Sequence, residues 1–253
     1  MRTMSMVVLM AFSGVLVLAG CTTAGRGYIA PGEAAGYELE RTPAAPAELS
    51  ESLFAEDQKV ISNEDIQRIL TAKITLPRDG KLAVIRAGRL PYWFGWSEDF
   101  TRLNRETDRQ VLEKLQSSQR VREAVYLPTM AIPRELSIPY LRQAAARFQA
   151  DLVLVYRTYS RTYERQKLFG QDQTHAYCTL EALLIDTRTG VIPFSTIVTE
   201  DFSAKRAKGD VDFNETVAKA EQQAIGKAQM QMAEQVVAFS NQLSQEQAAT
   251  PQQ

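Results

Sequence analysis

The chain has 253 residues, 45% hydrophobic and 23% charged, a globular balance that excludes both a disordered tail and a multi-span membrane protein. Its 29 Lys and Arg against 30 Asp and Glu leave a net charge of −1, which gives no nucleic-acid partner an electrostatic footing. One His and two Cys exclude most His/Cys metal sites and any disulfide framework.

Met1–Gly20 carries Arg2 and then an uncharged apolar run from Met4 to Leu18. That run is shorter than the roughly 20 residues a membrane-spanning helix needs, and it has the form of a secretory signal peptide. Leu18-Ala19-Gly20-Cys21 follows and resembles the lipobox of bacterial lipoproteins. Small residues there admit an extended backbone to a peptidase, and Cys21 supplies the thiol for diacylglycerol attachment. The resemblance implies a mature chain starting at Cys21, held in the membrane by two or three acyl chains at about 0.8 kcal/mol per buried CH₂. Thr22, where Asp would signal inner-membrane retention, implies an outer-membrane, periplasm-facing address. The alternative is a secreted chain in which a Cys falls there by chance. With Cys21 acylated, Cys178 has no partner, and its apolar surroundings predict a buried small hydrophobe.

Residues 21–58 are rich in Ala, Gly, Pro, Glu and Ser and predict a flexible linker. Residues 59–243 predict a single α/β domain, and 244–253, without apolar period, a disordered tail. Within the domain, Ser62 heads a helix with Ile66, Ile69, Leu70 and Ile74 on one stripe. A turn over 77–80 leads to a strand over 81–86. Ser97 caps a helix carrying Glu98 and Asp99 in its first turn, and a strand over 121–127 is closed by Pro128. Pro139 fits the first turn of a helix reaching about Gln149, and 151–156 is a strand apolar on both faces. Strands over 174–186 and 191–202 flank Gly190, which supplies a positive φ for a hairpin loop; Pro193 marks the second as an edge strand or a bulge. Asp212 and Glu215 open a long helix, with Val217, Ile225, Met232 and Val236 on its inner face. The order α-β-α-β-α-β-β-β-α predicts a mixed sheet of about five strands covered by helices, its first strands parallel and its last antiparallel.

Ala150-Asp151-Leu152-Val153-Leu154-Val155 after a helix resembles the "(G)AD, then apolar strand" step of CsgG-, LpoB- and TolB N-terminal-like envelope proteins. Leu183-Leu184-Ile185-Asp186-Thr187-Arg188-Thr189-Gly190 resembles their L-x-x-D-x-x-T-G hairpin. The chain is also similar to the rhombotarget lipoproteins, whose C-terminal Gly-Gly and transmembrane sorting tail it does not show. These likenesses imply an envelope lipoprotein that docks on another envelope component.

Catalytic motifs are absent: no G-x-S-x-G, P-loop, H-E-x-x-H or C-x-x-C occurs, and a Ser-His-Asp triad could use only His175. Of the carboxylate pairs Glu64-Asp65, Glu98-Asp99 and Glu200-Asp201, the first two are explained by helix starts and nothing places the third in a pocket. No enzyme, metal or cofactor is expected. Two stretches remain as candidate partner surfaces. Pro91–Trp96 places Tyr92, Trp93 and Trp96 in a strand-to-helix loop, either as binding anchors or as a lid on the core. Tyr156–Arg165 extends a buried strand with Arg157 and Arg161, either as a second patch or as a solvated edge. With Thr158, Ser160 and Thr162 on its other side, neither face suits lipid, so a membrane-spanning hairpin is excluded. The sequence reading is therefore a non-catalytic docking lipoprotein, partnered by membrane lipid through Cys21 and by an envelope protein. The alternative is a ligand-binding or enzymatic lipoprotein with a pocket at the sheet's carboxyl ends.

Overall fold

The computed structural model describes residues 38–40, 62–72, 76–88, 98–165 and 170–249, all within one compact unit. Cys21, Ile74, Tyr92, Trp93 and Trp96 lie outside the described residues. The elements are β1 (Glu38–Glu40), α1 (Asn63–Thr71), β2 (Gly80–Ala87), α2 (Glu98–Gln116), β3 (Val121–Tyr126) and α3 (Ile138–Arg147). They continue with β4 (Leu152–Arg165), β5 (Gln173–Asp186), β6 (Phe194–Lys205) and α4 (Phe213–Ala249).

Five strands form a mixed sheet in the order β3-β2-β4-β5-β6. β2 is parallel to β3 and to β4, because helices make those crossovers; β4-β5-β6 is antiparallel, because short turns join it. This is the predicted α/β class. Pro193 stands just before edge strand β6, where no ladder partner needs its missing N–H.

Each sheet face has its own core. On one, Leu82, Val84, Leu154, Cys178, Leu180 and Leu184 pack with α2 and α4. On the other, Ala83, Ile85, Val153, Val155 and Ile185 meet Leu141 and Ala145 of α3. β4 and β5 each run 14 residues and stay paired from Leu152↔Asp186 to Arg165↔Gln173, far beyond the end of β2 at Ala87. The pair therefore projects from the parallel half of the sheet.

The two family-like stretches hold the frame together. Gln149 ends α3 at φ 56°, with Ala150 N–H donating to the Ala145 carbonyl and Gln149 N–H to that of Ala146. This double bond is the Schellman end normally made by Gly. The Asp151 N–H then donates to the Lys81 carbonyl and the Asp151 carboxylate accepts the Lys81 N–H, while Asp186 Oδ1 accepts the N–H groups of Arg188 and Thr189. Gly190, at φ 77°, closes that turn against Arg142. Both aspartates are structural, each aimed at backbone donors.

Three expectations are corrected. Three residues of the predicted linker form β1, pairing antiparallel with Tyr163–Arg165. α4 continues to Ala249, past Leu243 where the apolar period fades, because Arg120 bonds Ser244 and Gln247 and so supplies polar contacts that periodicity cannot reveal. On α1, the expected inner residues Ile69 and Leu70 are 42% and 72% exposed, since no described element packs on that side of the short helix.

Candidate functional site

Alternation along β4 sorts its extension. Thr158, Ser160 and Thr162 follow Tyr156 onto the α4 face, where Ser160 donates to Glu221. Arg157, Tyr159, Arg161, Tyr163 and Arg165 therefore share the opposite, outer face. α3 covers that face only as far as Leu183 and Ile185; beyond it no described helix lies over the sheet. Among the described residues this leaves an open three-stranded platform. On the outer face of β4 the Tyr159 hydroxyl alone of the named side-chain groups is buried without a partner.

Register fixes its rows. Arg157 lies opposite Glu181, and that opposite Ile197; Arg161 opposite Tyr177 and then Asp201. Tyr163 is followed by His175 and Ser203, and Arg165 by Gln173 and Lys205. Ile197 is 71% exposed and Tyr177 41%. Arg157 lies over the Tyr159 ring at 5.6 Å and Arg161 over Tyr163 at 5.6 Å, so each guanidinium is within cation–π reach of an aromatic neighbour. Burial, chiefly, pushes the Tyr159 hydroxyl above its ordinary pKa. Both predicted arginines thus sit on one surface, and the tyrosines interleaved with them belong to the same surface. Their alternation with Arg was the signal.

At the far end of the platform a cavity of about 310 Å³ is lined by Tyr163, Arg165, Gln173, His175, Ser203 and Lys205, among others. His175 stacks on Tyr177 at 4.4 Å, and its Nδ1 is 3.0 Å from Ser203 Oγ. Its Nε2 lies 3.0 Å from Asp201 Oδ2 but out of line for a hydrogen bond. The three residue types of a hydrolytic triad are therefore neighbours. Ser203, however, lies within β6, where successive N–H groups point to opposite edges and so do not converge on one oxygen as an oxyanion hole requires.

At the carboxyl ends of the parallel strands the side chains close on each other. Arg86 donates to the Tyr156 hydroxyl (2.9 Å) and to Asp108 (2.6 Å), Gln229 donates to Tyr156 (2.9 Å), and Tyr126 and Tyr156 hydroxyls are 3.3 Å apart. Burial works against the charge on Arg86, yet Tyr156 and Asp108 outweigh it and hold the guanidinium protonated. Burial also pushes up Asp108, Tyr126 and Tyr156. On the α4 face, burial and then Glu221 push the Cys178 thiol up to about 12, which makes it inert. Among the described residues no group of three or more His, Cys, Asp or Glu could hold a metal, and no helix is long and apolar enough to cross a membrane.

No family model and no curated protein matches the chain. Among solved structures it is similar to a neuraminyllactose-binding hemagglutinin homolog from Helicobacter pylori, at 13% identity and TM-score 0.41, covering 70% of this chain and 98% of that one. It is similar to a minor lipoprotein from Acinetobacter baumannii, at 13% identity and TM-score 0.33, covering 63% and 91%. The LpoB C-terminal domain from Salmonella enterica gives 13% identity and TM-score 0.26, covering 54% and 92%. Its structural neighbours thus include bacterial lipoproteins. All three TM-scores lie below 0.5, so the functional reading rests on the chain's own residues.

Proposed function

We propose that the protein is a lipid-anchored docking module of the bacterial cell envelope, tethered through Cys21 to the outer membrane and facing the periplasm. The observation that carries the docking role is the open platform of β4, β5 and β6. A sheet face that no described helix covers, with Ile197 and Tyr177 exposed and arginines held over tyrosine rings, has the composition of a binding hot spot. The face carries Arg157, Arg161, Arg165 and Lys205 against Glu181 and Asp201, so it suits a folded envelope protein with an acidic surface. Tyr92, Trp93 and Trp96 remain a second proposed surface. The Leu18-Ala19-Gly20-Cys21 sequence supports the anchor.

A photo-crosslinking residue placed at Ile197 in cells tests the platform. A discrete adduct is expected there and not at Arg122 on edge strand β3; equal yields at both positions would overturn the docking role. Cys21→Ser tests the anchor separately, and should abolish acyl labelling and leave the unprocessed precursor.

A further inference from the structure

We infer that the cavity at the end of the platform, which takes Arg165 and Lys205 from the docking face, binds the phosphate of an anionic phospholipid headgroup. Three observations converge on it. The first is charge without an answer. Arg165 and Lys205 flank the 310 Å³ cavity from the two outer strands, in one row with Gln173 between them, and neither has an ion-pair partner among the described residues. Two strand spacings set their Cα atoms about 10 Å apart, close enough for both long side chains to reach one anion over Gln173. An Arg fork matches phosphate oxygens in pairs, and Lys adds a point charge. The Gln173 amide lies between the two cations as a further donor, and the Tyr163 ring offers a flat wall to the glycerol carbons.

The second is the surface beside the cavity. β6 passes directly into the loop carrying Arg206, Lys208 and Val211, all exposed, with Val211 at 89%. This loop is tied to the cavity end by the Arg206 N–H, which donates to the Asp172 carbonyl at 2.9 Å. Arg206 and Lys208 share this loop with Asp210, which pairs with Lys219, and with Asp212, which feels the charge of Arg206. Lys208 and the exposed Val211 tip are therefore the part of it suited to a headgroup layer, where charge meets phosphate and the apolar tip meets acyl chains.

The third is the path of the chain. β1 pairs with Tyr163–Arg165, so Glu38–Glu40, which follow Cys21 in the chain, join the sheet at this end. Seventeen steps separate Cys21 from Glu38, a contour of at most about 60 Å. An acyl anchor on Cys21 would leave the cavity the part of the sheet nearest the membrane along the chain.

His175 makes the test direct, because it is the one histidine in the protein and it lines the cavity. Its imidazole proton resonances report on this site alone, provided that no His tag is used. The full chain carrying Cys21→Ser, in neutral detergent, is titrated with dihexanoyl phosphatidylglycerol, with dihexanoyl phosphatidylcholine and with inorganic phosphate. The expected result is a saturable His175 shift with phosphatidylglycerol at concentrations where the other two give little. Arg165→Ala and Lys205→Ala should each weaken it at least about tenfold, and Arg165→Lys should restore much of it. An unchanged unfolding midpoint confirms that each variant is folded. No saturable shift, or one indifferent to both substitutions, overturns the site. An equal response to inorganic phosphate overturns the lipid headgroup as its source. Neither acylation nor a protein partner enters the measurement, so it can fail while the docking reading stands.

Discussion

The Tyr156 hydroxyl accepts a hydrogen bond from the Gln229 side-chain amide at 2.9 Å, with both residues 1% exposed, and this contact ties the central strand to the closing helix. Tyr156 also accepts from the half-buried Arg86, so Tyr156→Phe strips the acceptor from one buried and one half-buried donor. A loss of about 2–4 kcal/mol is expected from urea unfolding. Gln229 carries a liability of its own, since its Oε1 is buried without a partner. Gln229→Met removes that orphan along with the donor and should cost less than about 1 kcal/mol. Equal costs for the two variants would show that the network is not centred on Tyr156.

Gln149 occupies a backbone conformation that L side chains adopt at a cost. Gln149→Gly should stabilise the protein by about 1 kcal/mol, because φ 56° at a Schellman end is strained for Gln and free for Gly. A lower unfolding midpoint would contradict that account.

Acid should weaken the start of α4. The Glu215 N–H, donating to Asp212 at 2.9 Å, chiefly holds the Asp212 carboxyl below its usual range; Lys219, then the Val211 N–H, does the same for Glu215. Folded values below unfolded ones mean stabilisation that is complete above about pH 4 and disappears as pH falls through the folded values. Tm should therefore drop more steeply below pH 4 in the parent chain than in an Asp212→Asn, Glu215→Gln variant.

Cys178 offers a readout of global opening. In a Cys21→Ser chain it is the one thiol, and with a pKa near 12 and no exposure it should resist maleimide in the native state. Labelling should rise in step with urea unfolding. Fast native labelling would mean that α4 lifts from the sheet locally.

Arg161 separates binding from folding. It is exposed, so Arg161→Ala should leave stability within about 0.5 kcal/mol while lowering the yield of crosslinked adduct at Ile197. A fall in stability with unchanged adduct would make the Arg–Tyr ladder structural.

The parallel-then-antiparallel sheet was legible because its strands are long apolar runs separated by helical stripes or by a Gly-bearing turn. Alternation also placed Arg157 and Arg161 on a common face. The cavity was not legible: it needs Arg165, His175 and Lys205, which are separated by up to 40 positions and brought together only by the β4-β5-β6 register. The last turns of α4 escaped notice for a similar reason, since Arg120 is more than 120 residues from the two side chains it holds. The half-burial of His175 was not legible either, because it comes from stacking on Tyr177 while its sequence neighbours Gln171, Asp172 and Gln173 are polar.

β4 is flanked by β2 only as far as Arg157, and by β1 only from Tyr163. Between those points one edge of the strand has no ladder partner among the described residues, while the other stays paired to β5 throughout. Amide hydrogen exchange along this one strand should therefore be graded. Protection should be greatest over Leu152–Tyr156, where both edges are paired and both faces covered, and should fall toward Thr158–Thr162. The strand would then open from its projecting end, so the docking platform could flex while the parallel half of the sheet remained closed.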